Sequence, residues 1–482
     1  MIFSSVLFLY LFLPITLLVY YLIGRRYRNN LLLLVSLVFF AWGGVSLTII
    51  LLASITLNYF FGRQIEKHID TKKAYWILFA GVAINLATLV VFKYSNFIIE
   101  NINGLSSLFK LKPIPETKII LPVGISFYTF HLLSYLVDIY RRKTLAQRNI
   151  FDLALYVAMF SQLIAGPIIR YSDVWQQLKN RIHTNRKFSS GIEKFLIGLA
   201  KKVLLANTFS RVADDIFGAS ALDLSAPLAW LGIGCYTLQI YYDFSGYSDM
   251  AIGLGRMFGF EFLENFNYPY IAKSVKDFWR RWHISLSTFF RDYVYIPLGG
   301  NKVKVSRNYL NLILVFFLTG FWHGASWSFV IWGLFHGFFM VIEKLGFDKI
   351  LEKTYKPIAN LYTILVVMFG WVLFRSETLE YAISFWKAMF EFHSTIQQKE
   401  LFMGYMGTEF YIALAVALLG AFGFFGFVQK IVEPYLHSKK VGWKIITYTY
   451  HTGSAIFYSL VLFVCTLYLI AGTYNPFIYY RF

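Results

Sequence analysis

Charge is what this sequence has least of. Only 15% of its 482 residues are Asp, Glu, Lys or Arg, and the acids are the scarcer kind, 26 against 45 bases. Soluble domains carry about 25% charged residues, so a water-facing surface of normal size is excluded. Cysteine is nearly missing as well. Cys235 and Cys465 each sit inside an apolar run, which leaves no metal-spaced cluster and no disulfide framework and makes both small buried hydrophobes. The histidines show no metal-ligand spacing either. No basic residue precedes the first apolar block, residues 2–23. That block is too long for a signal-peptide core and lacks a small-residue cleavage site, so it reads as a retained first helix. Internal repeats, low-complexity tracts and Pro/Ser linkers are also missing. Their absence argues for one membrane domain over residues 1–482 and against a repeat-built transporter.

What is present is mostly hydrocarbon. Hydrophobic residues make up 57% of the chain and aromatic ones 20%. They come in blocks almost free of charge, at 2–23, 31–62, 74–92, 119–140, 150–169, 309–341, 357–374, 410–428 and 446–471. Most blocks reach the ~20 residues that cross a bilayer, so the expected fold is an all-α polytopic membrane protein of about ten to twelve membrane helices, some short or re-entrant. The formal charge of +19 is spread through the loops. That distribution fits cytoplasmic loops beside a lipid bilayer and contains no nucleic-acid-reading motif. Arg25, Arg26 and Arg28 follow the first helix, which puts the N-terminus outside and this loop inside. The second block is interrupted at Trp42-Gly43-Gly44 and has bases at both flanks, which predicts two short helices that dip in and return to the cytoplasmic side. Residues 74–92 then lead out, and 119–140 lead back to Arg141, Arg142 and Lys143. Residues 188–216 and 273–307 mix bases with apolar residues, and both are expected to lie in or near the cytoplasmic interface.

Three places put polar residues at lipid depth. The sharpest is Thr319–Trp327 (TGFWHGASW). If the chain is helical from Arg307, sixteen residues at 1.5 Å each place His323 roughly 24 Å in, within a hydrocarbon core of ~30 Å. An ionisable residue there is a functional candidate by default. Held away from water, its imidazole would stay neutral and able to accept a proton. Gly320 and Gly324 would let the backbone bend or a substrate approach closely. A structural histidine bonded to a neighbouring helix satisfies the same pattern equally well. The second place is Asp277–Ser287 (DFWRRWHISLS), where Lys276, Arg280 and Arg281 stand beside Trp279, Trp282 and His283. Arginine forks hold phosphate, and a tryptophan face covers a purine or an acyl arm. Taken alone, the segment fits an interfacial Trp/Arg anchor belt better. The third place is Gln239–Asp249, with Asp243 and Asp249. Their spacing of six puts them on opposite faces of a helix, which disfavours an acid/base dyad and favours a structural role. His336 lies thirteen residues after His323, about 140° around an uninterrupted helix, and is expected to pack, not to share the same pocket wall. His131 is a weaker candidate still.

These residues also carry a resemblance. Asp277–Asn301 (DFWRRWHISLSTFFRDYVYIPLGGN) and Thr319–Gly337 (TGFWHGASWSFVIWGLFHG) closely resemble the membrane-bound O-acyltransferase family, and within it the bacterial alginate O-acetylation branch. Leu121–Tyr140 and Gln239–Gly253 fit the same branch. Phe289-Phe290 stands where relatives often have Trp-Leu, a conservative change. The resemblance implies a helical core with re-entrant helices and a central tunnel, with 273–342 as the catalytic core segment. It implies an essential histidine at His323 and a second active-site polar position at His283. It further implies an O-acyltransferase in the bacterial cytoplasmic membrane, with no permanently bound cofactor and no metal, that takes acetyl from cytoplasmic acetyl-CoA. The acetyl would pass outward to a periplasmic or extracellular SGNH-type acetyltransferase partner. That partner modifies a polysaccharide acceptor, such as an alginate-like exopolysaccharide, cellulose or peptidoglycan.

The residues agree with that chemistry. A thioester is already activated, so the protein needs a base, oxyanion support and a water-poor passage. His323 would be the base, and His283 or a neighbouring donor would support the oxyanion. Lys276, Arg280, Arg281 and Trp282 would hold the nucleotide end of acetyl-CoA at the cytoplasmic mouth. Rival readings are D-alanyl transfer to teichoic acid, a proton-coupled transporter or flippase, and a non-catalytic scaffold. The tail at 475–482 (NPFIYYRF) is strongly aromatic. Lys439, Lys440 and Lys444 precede the last helix and send this tail outside. An interfacial anchor fits the tail as well as one folded into the outer mouth of the tunnel. It resembles the Phe-x-Tyr-x-x-Phe ending of the small partner peptide in the D-alanylation system, matching Phe477, Tyr479 and Phe482. The resemblance singles out Tyr479 as an acyl relay.

Overall fold

The computed structural model describes all residues except 123, 164–165, 437–440, 473 and 477–482, and side chains outside 433–447. Among the described residues the chain is helical throughout, with no strand. The apolar blocks become helices, and their interruptions become turns. A helical stretch from Phe8 runs into α1 (Leu13–Leu22). α2 (Arg28–Ala41) and α3 (Val45–Lys67) part at Trp42-Gly43-Gly44, where Gly44 takes φ +145°, a conformation side chains rarely adopt. Their basic ends do return to one side. Asn29 donates to Asp152 at 2.8 Å near the start of α2, and Arg148 pairs with Glu66 at 2.8 Å near the end of α3. Only α2 is short, however. α3 has 23 residues and is long and apolar enough to cross a membrane.

α4 (Lys72–Leu108) does not stop at residue 92. It continues to 37 residues because the polar residues of its second half find partners. Asn96 and Asn103 clip the following loop back along the helix, bonding Thr117 and Ile114. α5 (Ile125–Tyr140) starts later than its apolar block, after Gly124 at φ +75°. Three short helices follow, α6 (Ile150–Ala158), α7 (Phe160–Leu163) and α8 (Tyr171–Lys179).

Residues 188–216 correct the expectation of a segment lying at the interface. α9 (Asn185–Ala200), Lys201–Ala206 and α10 (Asn207–Gly218) form one continuous rod, antiparallel to α11 (Ala226–Met257), and most of α11 is buried. Two glycine pairs permit the contact. Gly191 faces Gly253 and Gly198 faces Gly246. A Cβ at any of the four would fall 2.5–2.7 Å from the backbone oxygen opposite, so only glycine lets the rods approach this closely. The lysines that make the segment look interfacial are matched within the pair. Lys194 and Lys201 meet Asp249 at 3.1 and 2.6 Å, and Lys202 meets Asp243 at 3.0 Å with both side chains almost fully buried. The two carboxylates therefore have the structural role their spacing suggested.

The rest of the chain is α12 (Val275–Arg281), α13 (Ile284–Phe290), α14 (Val305–His323), α15 (Trp327–Ile342), α16 (Asp348–Lys353), α17 (Lys356–Arg375) and α18 (Leu379–Ala388). α19 (Ile396–Tyr405) and α20 (Thr408–Ala421) meet at a 66° bend, and α21 (Phe424–Leu436) and α22 (Val441–Ile470) complete the chain. Five helices among the described residues are long and apolar enough to cross a membrane, six if the bent pair is one span. The protein is a multi-pass membrane protein. Its two faces are tied separately. Asn29, Asp152, Glu66 and Arg148 share one. At the other, Asn475 donates to the Ser4 carbonyl at 3.0 Å, and Tyr474 and Arg375 meet Asp214 at 2.8 and 2.6 Å. The segment leading to the aromatic tail thus lies with the N-terminal residues.

Candidate active site

α14 runs unbroken from Val305 to His323, as the depth argument required. The chain then opens. Gly324 is extended, at φ −162°, and α15 starts at Trp327 and runs back beside α14. The glycines set how close the two helices come. A Cβ on Gly320 would lie 2.3 Å from the Phe329 oxygen and 3.1 Å from Gly333 Cα, and one on Gly324 would strike the Phe329 ring at 2.1 Å.

His323 is buried at this break, 9% exposed. Its ring lies 4.8 Å from Trp322, 5.2 Å from Trp332 and 5.1 Å from Phe374, centre to centre. The helix between His323 and His336 is not continuous, which corrects the angular argument about His336. Trp332 stands edge-on between them, 5.2 Å from each ring. His336 nevertheless packs, fully buried against Trp279 at 5.0 Å and in room left by Gly370, where a Cβ would sit 2.5 Å from its Nε2. His131 is likewise fully buried within α5.

His283 comes to the same place from a different element. It caps α13 in a left-handed conformation, φ +46°, which is strained for a side-chain-bearing residue. Asn265 holds it there. Its backbone oxygen accepts from Ile284 N at 2.9 Å, and its Oδ1 accepts from Ser285 N at 3.1 Å, Ser285 Oγ at 2.9 Å and His283 Nδ1 at 3.2 Å. The Ser285 amide is an obligate donor, so the atom it meets is the amide oxygen and His283 Nδ1 must carry the proton. Nε2 is then left as a lone pair, buried and with no partner. A neutral His283 in this tautomer accepts a hydrogen bond and does not supply the oxyanion donor expected of it. Trp322 lies between the histidines, 6.4 Å from the His283 ring. The indole N–H groups of Trp322, Trp332 and Trp279 are buried without partners. Inside a low-dielectric interior such groups are costly unless something else satisfies them. Sequence reasoning passed over these indoles as oxyanion donors. Their signal was the recurrence of Trp next to or four residues from a histidine, at 322/323, 282/283 and 332/336.

The expected donor residues sit on α12. Lys276 and Arg280 are exposed. Arg281 is half-buried and pairs with Asp277 at 2.9 Å. Trp282 is buried among Trp371, Phe266 and Phe278 at 5.0–5.5 Å, so its face is covered by protein. The start of α12 is already capped, because the buried Glu343 accepts from the Val275 and Lys276 amides at 2.6 and 2.9 Å. Nearby, burial works to raise the pKa of Asp292, but Arg291 and Arg170 outweigh it and hold the carboxyl below the usual range. Tyr479 lies outside the described residues. The chain leading to it is held at Pro476, whose carbonyl accepts from the buried Lys202. Among the described residues no cluster of histidine, cysteine or carboxylates suits a metal ion.

The sequence that builds this site has counterparts. A protein named as a probable alginate O-acetylase from Pseudomonas putida is 43% identical over the full length of both chains, and the membrane-bound O-acyltransferase family model matches residues 141–379. The chain belongs to the membrane-bound O-acyltransferase family. It is an O-acyltransferase. A Helicobacter pylori peptidoglycan O-acetyltransferase is 37% identical, covering 81% of this chain and 80% of its own. A Bacillus subtilis teichoic acid D-alanyltransferase is 30% identical, covering 55% of this chain and 71% of its own. The matched family segment holds both His283 and His323 and all of α12 to α15. In this O-acyltransferase α4 and the tail lie outside that segment, though within the full-length similarity.

Proposed function

We propose that this O-acyltransferase takes acetyl from cytoplasmic acetyl-CoA and passes it across the cytoplasmic membrane for O-acetylation of an extracytoplasmic polysaccharide. The observation that carries the reading is His323, buried at a broken helix end about 27 Å from the start of its 19-residue helix and beside a second histidine that presents a lone pair. The likeness to polysaccharide O-acetylating proteins, including one along the whole chain, supports the acceptor class. The lower coverage of the D-alanyl relative favours acetyl over D-alanyl. An external SGNH-type partner would complete the transfer.

In the step itself an acceptor hydroxyl oxygen attacks the thioester carbonyl while His323 takes the hydroxyl proton. The carbonyl oxygen gains charge, and the unpartnered indole N–H groups beside His323 suit its stabilisation. The C–S bond then breaks, the thiolate recovers the proton from His323, and the acetyl stays on oxygen. His283 stands by as a second proton acceptor. In the cell the attacking hydroxyl is that of Tyr479, which follows the Pro476 carbonyl held by Lys202. Lys276, Arg280 and Arg281 draw the CoA phosphates to the cytoplasmic mouth.

The test is His323→Ala, measured as polymer acetylation in cells and acetyl-CoA turnover by purified protein. Expected is loss of both with normal membrane insertion, and a native rate overturns the assignment. Tyr479→Phe should abolish polymer acetylation, whereas Tyr480→Phe should not. Arg281→Ala should raise KM for acetyl-CoA more than it lowers kcat.

A further inference from the structure

A helix leaves its last carbonyls without partners, and inside a membrane no water is at hand to satisfy them. The end of α14 solves this with a single neighbouring helix. Tyr94 OH donates to the Phe321 carbonyl at 2.6 Å. Lys93 Nζ donates to the Trp322 carbonyl at 2.6 Å and to the His323 carbonyl at 3.0 Å. The third ammonium proton is directed at Ser126 Oγ, 3.4 Å away on α5. Two of the lysine's donors are thus committed to the helix end, and the nitrogen's remaining contact is with Ser126. The cation also sits where the α14 dipole is negative.

α4 holds the other side of the break as well. Its Tyr94 ring stacks on Phe321 at 4.3 Å, Phe97 lies 5.8 Å from Trp327, and Asn101 Oδ1 accepts from Trp327 Nε1 at 3.0 Å. Lys93, Phe97 and Asn101 recur every four residues and so form one stripe of the helix. That stripe spans the gap between the last turn of α14 and the first of α15.

We infer that Lys93 is a positioning residue for acyl transfer, its ammonium fixing the backbone of Trp322 and His323 and thereby aiming the imidazole and the indole between the two histidines. Tyr94 and Asn101 close the two flanks. Lys93 acts through His323, because its Nζ is turned to the helix-end carbonyls. The inference rests on the reading of His323 as the proton acceptor. Misplacing a reacting group by about 1 Å costs on the order of 10²-fold in rate, which sets the scale of the effect.

The experiment compares purified full-length variants for acetyl-CoA turnover, each normalised to folded protein by size exclusion and circular dichroism. Lys93→Met should lower kcat by about 10²-fold with KM for acetyl-CoA within about twofold. Lys93→Arg restores two or more donors and a charge, and should regain about tenfold of that loss. Should Lys93→Met fail to fold, Tyr94→Phe and Asn101→Leu each remove one bond and must lower kcat about three- to tenfold. Native kcat per folded molecule in Lys93→Met, or an arginine variant no better than methionine, overturns the inference. So does unchanged kcat in both flank variants. His323→Ala run alongside separates the two claims. If it keeps its rate, the reading of His323 has failed. If it is inactive while Lys93→Met is native, only the clamp has failed.

Discussion

Two antiparallel helix pairs are drawn together by glycine, and they are finished in opposite ways. In α9 and α11 the contacts at Gly191/Gly253 and Gly198/Gly246 are accompanied by ion pairs, so Lys194, Lys201 and Lys202 are all matched by Asp249 and Asp243. In α14 and α15 the contact at Gly320/Gly333 is just as close. There the polar groups are imidazole and indole nitrogens, several of them unmet, and the helix end is held from outside by α4. Close approach is common to both pairs. What separates the two pairs is charge: the first matches its lysines with carboxylates inside the pair, and the second holds neutral rings at its break and takes the cation there from α4.

The sharpest way to break the first helix pair is Asp243→Leu, which leaves Lys202 buried beside no carboxylate. Losing one partner of a buried pair costs about 3–5 kcal/mol. We expect a large fall in thermal stability in detergent, and the double variant Asp243→Leu/Lys202→Met should recover most of it. A double variant as unstable as the single would mean the pair is not the cause. Next come matched glycine substitutions, each costing about 1–3 kcal/mol by overpacking. Gly198→Ala should lower stability while each folded molecule keeps turnover within about threefold, whereas Gly320→Ala should also cost turnover on the order of 10²-fold by shifting the helix that bears His323. Equal kinetic losses in the two would erase the distinction between the pairs. A smaller effect is expected from Asn265→Ala, which unlocks the His283 ring and its strained backbone. Turnover should fall about tenfold, and a Ser285→Ala control should fall less.

The smallest effect is that of Asp292. Its carboxyl is held below the ordinary carboxylate range, so its contribution is complete above the unfolded value of about 4 and fades as pH falls through the lower folded value. Asp292→Asn should therefore lower stability at neutral pH by less than about 1 kcal/mol, leave the most acidic pH almost untouched, and so flatten the acid limb of the stability curve. A variant that instead loses stability only at acid pH would contradict the sign.

Much of this was legible in the chain because membranes impose simple rules. Apolar blocks of spanning length gave helices, Trp42-Gly43-Gly44 gave a break, and the unbroken run from Arg307 carried His323 inward. Charge was the misleading signal. The bases of 188–216 suggested an interfacial helix, because nothing local says that Asp243 and Asp249 wait on a helix some forty residues later. Tertiary pairing cannot be read from a window. Lys93 illustrates the same gap in reverse. It stands one residue past an apolar block and looks like the mark of its end, yet the helical pattern continues to Leu108 and the lysine caps a helix more than two hundred residues away. A lone base inside a continuous helix, with no acid within a turn, is the signal that would have found it. His283 was visible by its motif, but its tautomer depends on Asn265, which carries no motif at all.

The length of α4 has a mechanical consequence. At 37 residues it is about 55 Å long, nearly twice the thickness of a bilayer's hydrocarbon. Fifteen residues, or about 22 Å, run from Lys93 to its C-terminal end at Leu108. No break interrupts this rod, and Leu105 and Leu108 at its tip are exposed. It is therefore a lever whose short internal throw ends on the His323 carbonyl. A load on that tip would be carried along an unbroken helix to the backbone at His323.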